Sequence, residues 1–219
     1  MADSNLTSIT VIIDRSGSME PLIGETVAGF NGFLETQKAA PGEALLTLVY
    51  FDTAVFTRDD GVALRTARPL TAASYWDRGG GSTALLDAFG ITLEHARARI
   101  AAMPEAVRPG RVLFVVMTDG QENASTRYTS ARVKSLVEEA KAMGWEFLFL
   151  GANIDAFAVG GGLGMDPDQV ANYEATRAGT HAGWALLSER SSAFRSADAG
   201  AASSAVRFRR KPTTDPSEE

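Results

Sequence analysis

No cysteine occurs anywhere in the chain. That absence removes disulfides, thiolate metal ligands, iron–sulfur clusters and a cysteine nucleophile in one step, and it agrees with a reducing cytosol. Histidine is almost as scarce, with only His95 and His181, each inside a stretch of helical periodicity. An imidazole-rich metal site or a serine–histidine pair therefore has little to draw on. Basic residues are outnumbered, 21 Lys and Arg against 27 Asp and Glu, for a net charge of −6. Phosphate backbones need a basic surface, so nucleic acid is not the expected partner. Long apolar runs are missing near the N-terminus too. Ile9 to Ile13 is too short for a signal segment or a membrane span, and no basic stretch precedes it. A soluble, cytoplasmic protein with no membrane partner is the expectation.

What is present suits one α/β domain. The chain has 219 residues, 45% of them hydrophobic and 22% charged, enough for a core without cross-links. Ile9-Thr10-Val11-Ile12-Ile13 is a β-branched run of the kind buried on both faces of a sheet. It stops at Asp14-Arg15-Ser16-Gly17-Ser18. From Pro21 a helical spacing follows, with Ile23, Val27, Phe30 and Leu34, ending at Pro41-Gly42. Ala44 to Phe51 reads as a strand and Ala54-Val55-Phe56 as a short one, joined so tightly at Asp52-Thr53 that an antiparallel hairpin is expected. Residues 58 to 82 read as irregular and end in Gly79-Gly80-Gly81-Ser82-Thr83.

Leu86, Phe89, Leu93, Ala96, Ile100 and Met103 then share a helix face. Arg111 to Thr118 is the most hydrophobic stretch and reads as a central strand. After Asp119-Gly120-Gln121-Glu122-Asn123 comes an amphipathic helix through Val133, Leu136, Val137, Ala140 and Met143, with Gly144 as its C-cap. Glu146 to Leu150 is a strand and Ile154 to Val159 a short helix. Gly160 to Gly164 reads as a loop, Gln169 to Tyr173 as an edge strand and Thr180 to Phe194 as a closing helix. Alternating strands and helices imply a mainly parallel sheet covered on both faces. The domain is expected over residues 1–195. Residues 196–219 turn Ala/Ser/Gly-rich, then basic at Arg207, Arg209, Arg210 and Lys211, then acidic, and are expected to be a disordered tail.

In open parallel sheets, functional groups collect in the loops after the carboxyl ends of strands. Three such places here carry hard oxygen donors: Asp14, Ser16 and Ser18 after the first strand, Thr83 after the glycine run, and Asp119 after the central strand. Each residue singly has a structural reading, as a helix cap or turn residue. Together and in this order they resemble the metal-ion-dependent adhesion site (MIDAS) of von Willebrand factor A-type (vWA) domains. Asp14, Ser16 and Ser18 match its D-x-S-x-S element, Thr83 its threonine loop, and Asp119 in Met117-Thr118-Asp119-Gly120 its T-D-G element. The similarity runs from about residue 6 to 195 and is greatest to bacterial intracellular A domains.

The resemblance implies a three-layer α-β-α, Rossmann-like vWA fold with one short antiparallel edge strand. It implies Mg²⁺, with Mn²⁺ also accepted, held by the hydroxyls of Ser16, Ser18 and Thr83 and by the charge of Asp14 and Asp119. Oxygen donors of this kind suit Mg²⁺, which takes about six in a tight octahedron. It further implies a non-enzymic role, in which a Glu or Asp of a partner protein completes the metal shell, and partners of the AAA+ ATPase or stress-response kind. Two other readings stand beside it. One is a Mg²⁺-dependent hydrolase or phosphatase, although the second carboxylate that phosphoaspartate phosphatases need two positions on is Ser16 here. The other is a scaffold whose metal only stabilises the fold. Neither a G-x-S-x-G elbow nor a P-loop is present.

Overall fold

The computed structural model describes residues 2–198 and 201–208. Six strands form one sheet: β1 (Asp3–Asp14), β2 (Glu43–Phe51), β3 (Val55–Ala63), β4 (Pro109–Thr118), β5 (Glu146–Gly151) and β6 (Val170–Asn172). Their order across the sheet is β3-β2-β1-β4-β5-β6, and only the β2–β3 pair is antiparallel. The helices are α1 (Ile23–Ala39), α2 (Ala72–Trp76), α3 (Leu85–Ala102), α4 (Ser130–Ala142), α5 (Ala156–Gly162), α6 (Arg177–Ser196) and α7 (Ala202–Ala205).

Side chains of the central strands alternate between two cores, as the period of two requires. Ile9, Val11, Ile13, Leu113, Val115, Met117, Leu148 and Leu150 face α1 and α6. Ile12, Val112, Phe114, Val116, Phe147 and Phe149 face α3, α4 and α5. The result is a helix–sheet–helix sandwich in which β1 and β4 are covered on both sides. That is why those two strands are nearly unbroken in apolar character.

Several boundaries differ from the reading of the sequence. β3 continues to Ala63 where irregular chain is expected from residue 58. Its polar Thr57-Arg58-Asp59-Asp60 stretch is tolerated because β3 is an edge, where charge is no obstacle to pairing. The same expected irregular region also holds α2, opened by a reciprocal capping box between Thr71 and Ser74. Gly160 to Gly162 close α5 rather than forming a loop. A Cβ on Gly160 would stand 2.5 Å from Val170 Cγ2, so the absence of a side chain lets α5 lie against β6.

Beyond residue 196, α7 makes a single turn, and Val206 and Phe208 are buried in the α1/α6 core while Arg207 pairs with Asp168. The packed part of the chain thus extends past the expected boundary, carried by two apolar side chains spaced to reach one core. Arg209, Arg210 and Lys211 lie outside the described residues. No helix among the described residues is long and apolar enough to cross a membrane.

Strand register and chain path together position everything that follows. From β1 the chain moves to β2 and β3 on one side, then returns to place β4 on the other side of β1. The order reverses between β1 and β4, and such a reversal opens a crevice at the carboxyl ends of the two strands. Ile13 is level with Met117. Asp14 and Thr118 therefore emerge side by side at that crevice.

The tightest contact between α1 and α6 is at Gly29, where a Cβ would stand 2.1 Å from Trp184 Cδ1. The Trp184 ring is buried and packs edge-on to Phe30 at 5.9 Å. Alanine would add about 1 kcal/mol of helix propensity, but the overpacking costs about 1–3 kcal/mol. Gly29→Ala is expected to lower the urea midpoint, and an unchanged midpoint would show that the indole moves aside without cost.

Candidate metal centre

Asp14 ends β1 and is fully buried. Its carboxylate accepts the Ser16 N–H at 2.7 Å on one oxygen and the Thr118 hydroxyl at 2.6 Å on the other. Ser16 is buried and Ser18 exposed. Their hydroxyls stand 3.2 Å apart, and Ser18 Oγ donates to Asp119 Oδ1 at 2.6 Å. Asp119 is 2% exposed. Thr83 arrives from the loop before α3, and its hydroxyl lies only 2.8 Å from where a Cβ of Gly120 would be. Ser18 Oγ is 3.7 Å from that same point. All five residues singled out in the sequence therefore meet at the crevice between β1 and β4.

The loops are held to one another by their backbones. Gly80 donates to Arg15 O at 3.0 Å and Gly17 to Gly81 O at 2.9 Å, so the glycine run lies along the first loop like a short ladder. Ala84 donates to Asp52 O at 2.8 Å, and Thr53 Oγ1 accepts from Ser82 N at 2.9 Å. A Cβ on Gly81 would come 2.5 Å from that Thr53 hydroxyl, so glycine is required for the approach. Beneath the site, the buried Tyr75 hydroxyl donates to the Asp14 carbonyl.

Arg15, between the two candidate ligands, turns away from them. It pairs with Asp52 at 3.1 Å, donates to Asp77 O at 2.8 Å and lies over the Tyr50 and Phe56 rings.

Residues next to the motif divide in an unexpected way. Of the loop residues that follow Asp119, Gln121 and Asn123 are exposed. Glu122 instead turns inward. It accepts from Leu86 N at 2.8 Å at the start of α3 and from the backbone of Ala124 and Ser125, which gives that helix an acidic N-terminal partner. Thr118 is the support that position alone does not reveal, since its role depends on β1 and β4 being neighbours. His95 and His181 are exposed and away from the crevice, His95 facing Asp60 at 3.5 Å.

The electrostatics are those of an unfinished charge balance. Burial pushes the Asp14 carboxyl up to about 6 and raises Asp119 as well, with the Asp119 charge adding to the effect on Asp14. The ion pairs of Arg15 and of the other described cations go elsewhere. No group of three or more Asp, Glu or His side chains among the described residues is placed to hold a metal ion. The donor set is thus two carboxylates and three hydroxyls, all hard oxygens. Two buried like charges with no cation, beside hydroxyls free to turn their lone pairs inward, fit a small divalent cation.

No family model matches the chain, and no curated protein matches it. Solved structures do. Proximal thread matrix protein 1 from the mussel byssus superposes with a TM-score of 0.59 at 16% identity, over 85% of this chain and 48% of that one. A second structure of the mussel protein has its MIDAS motif occupied by zinc, with a TM-score of 0.59 at 15% identity over 85% and 48% of the two chains. A von Willebrand factor type A protein from Catenulispora acidiphila matches with a TM-score of 0.55 at 16% identity, over 85% and 43%. The vWF domain of the pilus tip protein Mfa5 from Porphyromonas gingivalis gives 0.58 at 13% identity, over 83% of this chain and 93% of that domain. The chain spans about half the length of the mussel and Catenulispora proteins. The fold is the three-layer vWA fold, with a six-stranded, mainly parallel sheet and one antiparallel edge strand.

The raised Asp14 carboxyl carries a consequence for stability. A group whose folded pKa exceeds its unfolded value favours folding while protonated. That contribution is complete below about 4 and is lost as pH climbs through about 6. In EDTA the protein should therefore lose roughly 3 kcal/mol from Asp14 between pH 4 and pH 7, at 1.36 kcal/mol per unit. Asp14→Asn should remove this slope and be the more stable protein at pH 7. Parallel urea-stability profiles for the two proteins would contradict the assignment.

Proposed function

We propose that this chain is a non-enzymic binding module that holds one divalent cation, Mg²⁺ with Mn²⁺ also accepted, and engages an Asp or Glu carboxylate of a partner protein. The observation that carries the reading is the meeting of Ser16, Ser18, Thr83, Asp14 and Asp119 at the β1–β4 crevice, with both carboxylates buried and unpaired by any Lys or Arg among the described residues. The vWA fold and the zinc-occupied motif of the mussel protein are in keeping with it.

The residues divide the work. Ser16, Ser18 and Thr83 present neutral hydroxyl oxygens, while Asp14 and Asp119 supply two negative charges from behind them. Thr118 and the Ser16 N–H orient Asp14, so its carboxylate is preset rather than searching. When bound, the cation would supply an incompletely neutralised Lewis-acidic face, which a partner carboxylate satisfies. Ser18 is exposed while the carboxylates are not, so that face is on the solvent side.

Binding is favoured over turnover by what the crevice holds. Asp14 and Asp119 are its carboxylates, and both histidines lie elsewhere. Among the described residues no histidine stands beside its hydroxyls as a general base.

Calorimetry with MgCl₂ and MnCl₂ tests the first half of the proposal. Wild type should bind one ion, Asp14→Ala should bind none, and Thr83→Ala should bind at least about ten-fold more weakly, or about 1.4 kcal/mol. Water-proton relaxation with bound Mn²⁺ tests the second half. Acetate or N-acetylglutamate should displace metal-bound water and lower the enhancement, whereas the uncharged amides should not. Absence of Mn²⁺ uptake would defeat the metal reading. Uptake with no response to carboxylate would defeat the capture reading, and phosphoester turnover would point to a hydrolase.

A further inference from the structure

Thr83 is the one candidate ligand that comes from neither the carboxyl end of β1 nor that of β4. Its place depends on a loop that contains three consecutive glycines, Gly79 to Gly81. Such a loop has little conformational preference of its own, so something outside it must fix the Thr83 hydroxyl. Towards the first loop the fixing is done by Gly80, Gly81 and Ser82 through the bonds to Arg15 O, Gly17 N and Thr53 Oγ1. Towards the Asp119 loop it is done by Asn123. Its side-chain carbonyl accepts the Thr83 N–H at 2.8 Å, and its own N–H donates to the Thr83 carbonyl at 3.0 Å. Both backbone polar groups of Thr83 are thereby gripped by one residue, four positions beyond Asp119.

The next residue back fastens the following helix in the same way, since Glu122 binds Leu86 N at 2.8 Å. The turn from 122 to 125 therefore works as a buckle between the second and third loops. Thr83 is only 3% exposed, and removing the Asn123 oxygen takes away the side-chain acceptor of its N–H. The glycine run then allows Thr83 to shift toward another partner without unfolding the domain. A shift of that kind moves its hydroxyl relative to Asp119.

We propose that Asn123 is a positioning residue of the metal centre. By gripping the Thr83 backbone it sets the spacing between the Thr83 hydroxyl and Asp119, and with it the preference of the site for a small cation over a larger one. This rests on the metal-centre reading above. The physical reason is the difference between the ions: Mg²⁺ requires near-ideal octahedral geometry at short range, whereas Ca²⁺ accepts longer and more variable distances. A loosened Thr83 should penalise Mg²⁺ more than Ca²⁺.

The test compares Mg²⁺ and Ca²⁺ affinities by calorimetry for wild type, Asn123→Ala and Asn123→Asp, with the fold of each checked by circular dichroism and thermal melting in EDTA. Asn123→Ala should lose about 10–100-fold in Mg²⁺ affinity, the usual effect of removing a support behind a ligand. It should lose clearly less in Ca²⁺ affinity, so that the Mg²⁺/Ca²⁺ ratio falls. Asn123→Asp keeps an oxygen for the Thr83 N–H and should restore the ratio. If Asn123→Ala does not fold, Asn123→Ser replaces it, because its hydroxyl is too short to reach Thr83 and still suits a turn.

Equal Mg²⁺ affinity and ratio in wild type and Asn123→Ala would overturn the positioning role while leaving the metal centre standing. Equal losses for both ions, unrescued by Asn123→Asp, would also overturn it, as marks of a merely structural residue. Wild type that takes up neither Mg²⁺ nor Mn²⁺ would instead remove the metal reading itself, and this inference with it.

Discussion

Two carboxylates brought out of water at the ends of adjacent strands, with no Lys or Arg among the described residues to answer them, are the constraint around which this domain is arranged. Asp14 and Asp119 are buried, the Asp119 charge adds to the cost of ionising Asp14, and the donors that reach them among the described residues are hydroxyls and backbone amides. Burying an ionised group without a counter-charge is costly in any fold. It persists here because the groups that hold the carboxylates belong to the most rigid part of the molecule. β1 and β4 are covered on both faces, and their register leaves Asp14 and Thr118 no choice but to be neighbours.

The surrounding loops inherit their order from that pair of strands. The first loop leaves β1 and is met by the glycine run, which is in turn pinned to the β2–β3 turn through Thr53 and Asp52. The loop after β4 reaches back through Asn123 and Glu122 to the start of α3. Three segments far apart in the chain thus share backbone hydrogen bonds rather than only side-chain contacts. This makes the crevice preset: its oxygen donors do not have to be gathered when a ligand arrives, and that ordering cost is already met by folding. The same serine hydroxyls that bond to each other and to Asp119 are the ones whose lone pairs a cation would use. Their present hydrogen bonds keep them within reach of one another.

Arg15 illustrates how closely charge is managed around the crevice. A guanidinium one residue from Asp14 could have neutralised it. It is held away instead by Asp52, the Asp77 carbonyl and two aromatic rings. The positive charge thereby strengthens the β2–β3 turn and leaves the acidic crevice uncompensated. Tyr75 contributes from below, where its hydroxyl meets the Asp14 carbonyl and leaves the carboxylate alone.

The sequence by itself determined the parts whose signal is local. Apolar runs such as Ile9–Ile13 and Arg111–Thr118 specify buried strands, helical spacing specifies α1, α3 and α4, and the five oxygen-bearing residues stand out because their types and order form a known pattern. Tertiary structure alone decided what depends on neighbours distant in the chain. β3 extends through a polar stretch because β2 offers it a pairing edge. Residues 201–208 stay packed because Val206 and Phe208 find the α1/α6 core. Glu122 and Asn123 show no fixed partner until α3 and Thr83 are placed beside them. The reason is the same in each case: periodicity and residue type record how a segment meets water, whereas hydrogen bonds between residues 36 or 40 positions apart exist only once the sheet has chosen its order.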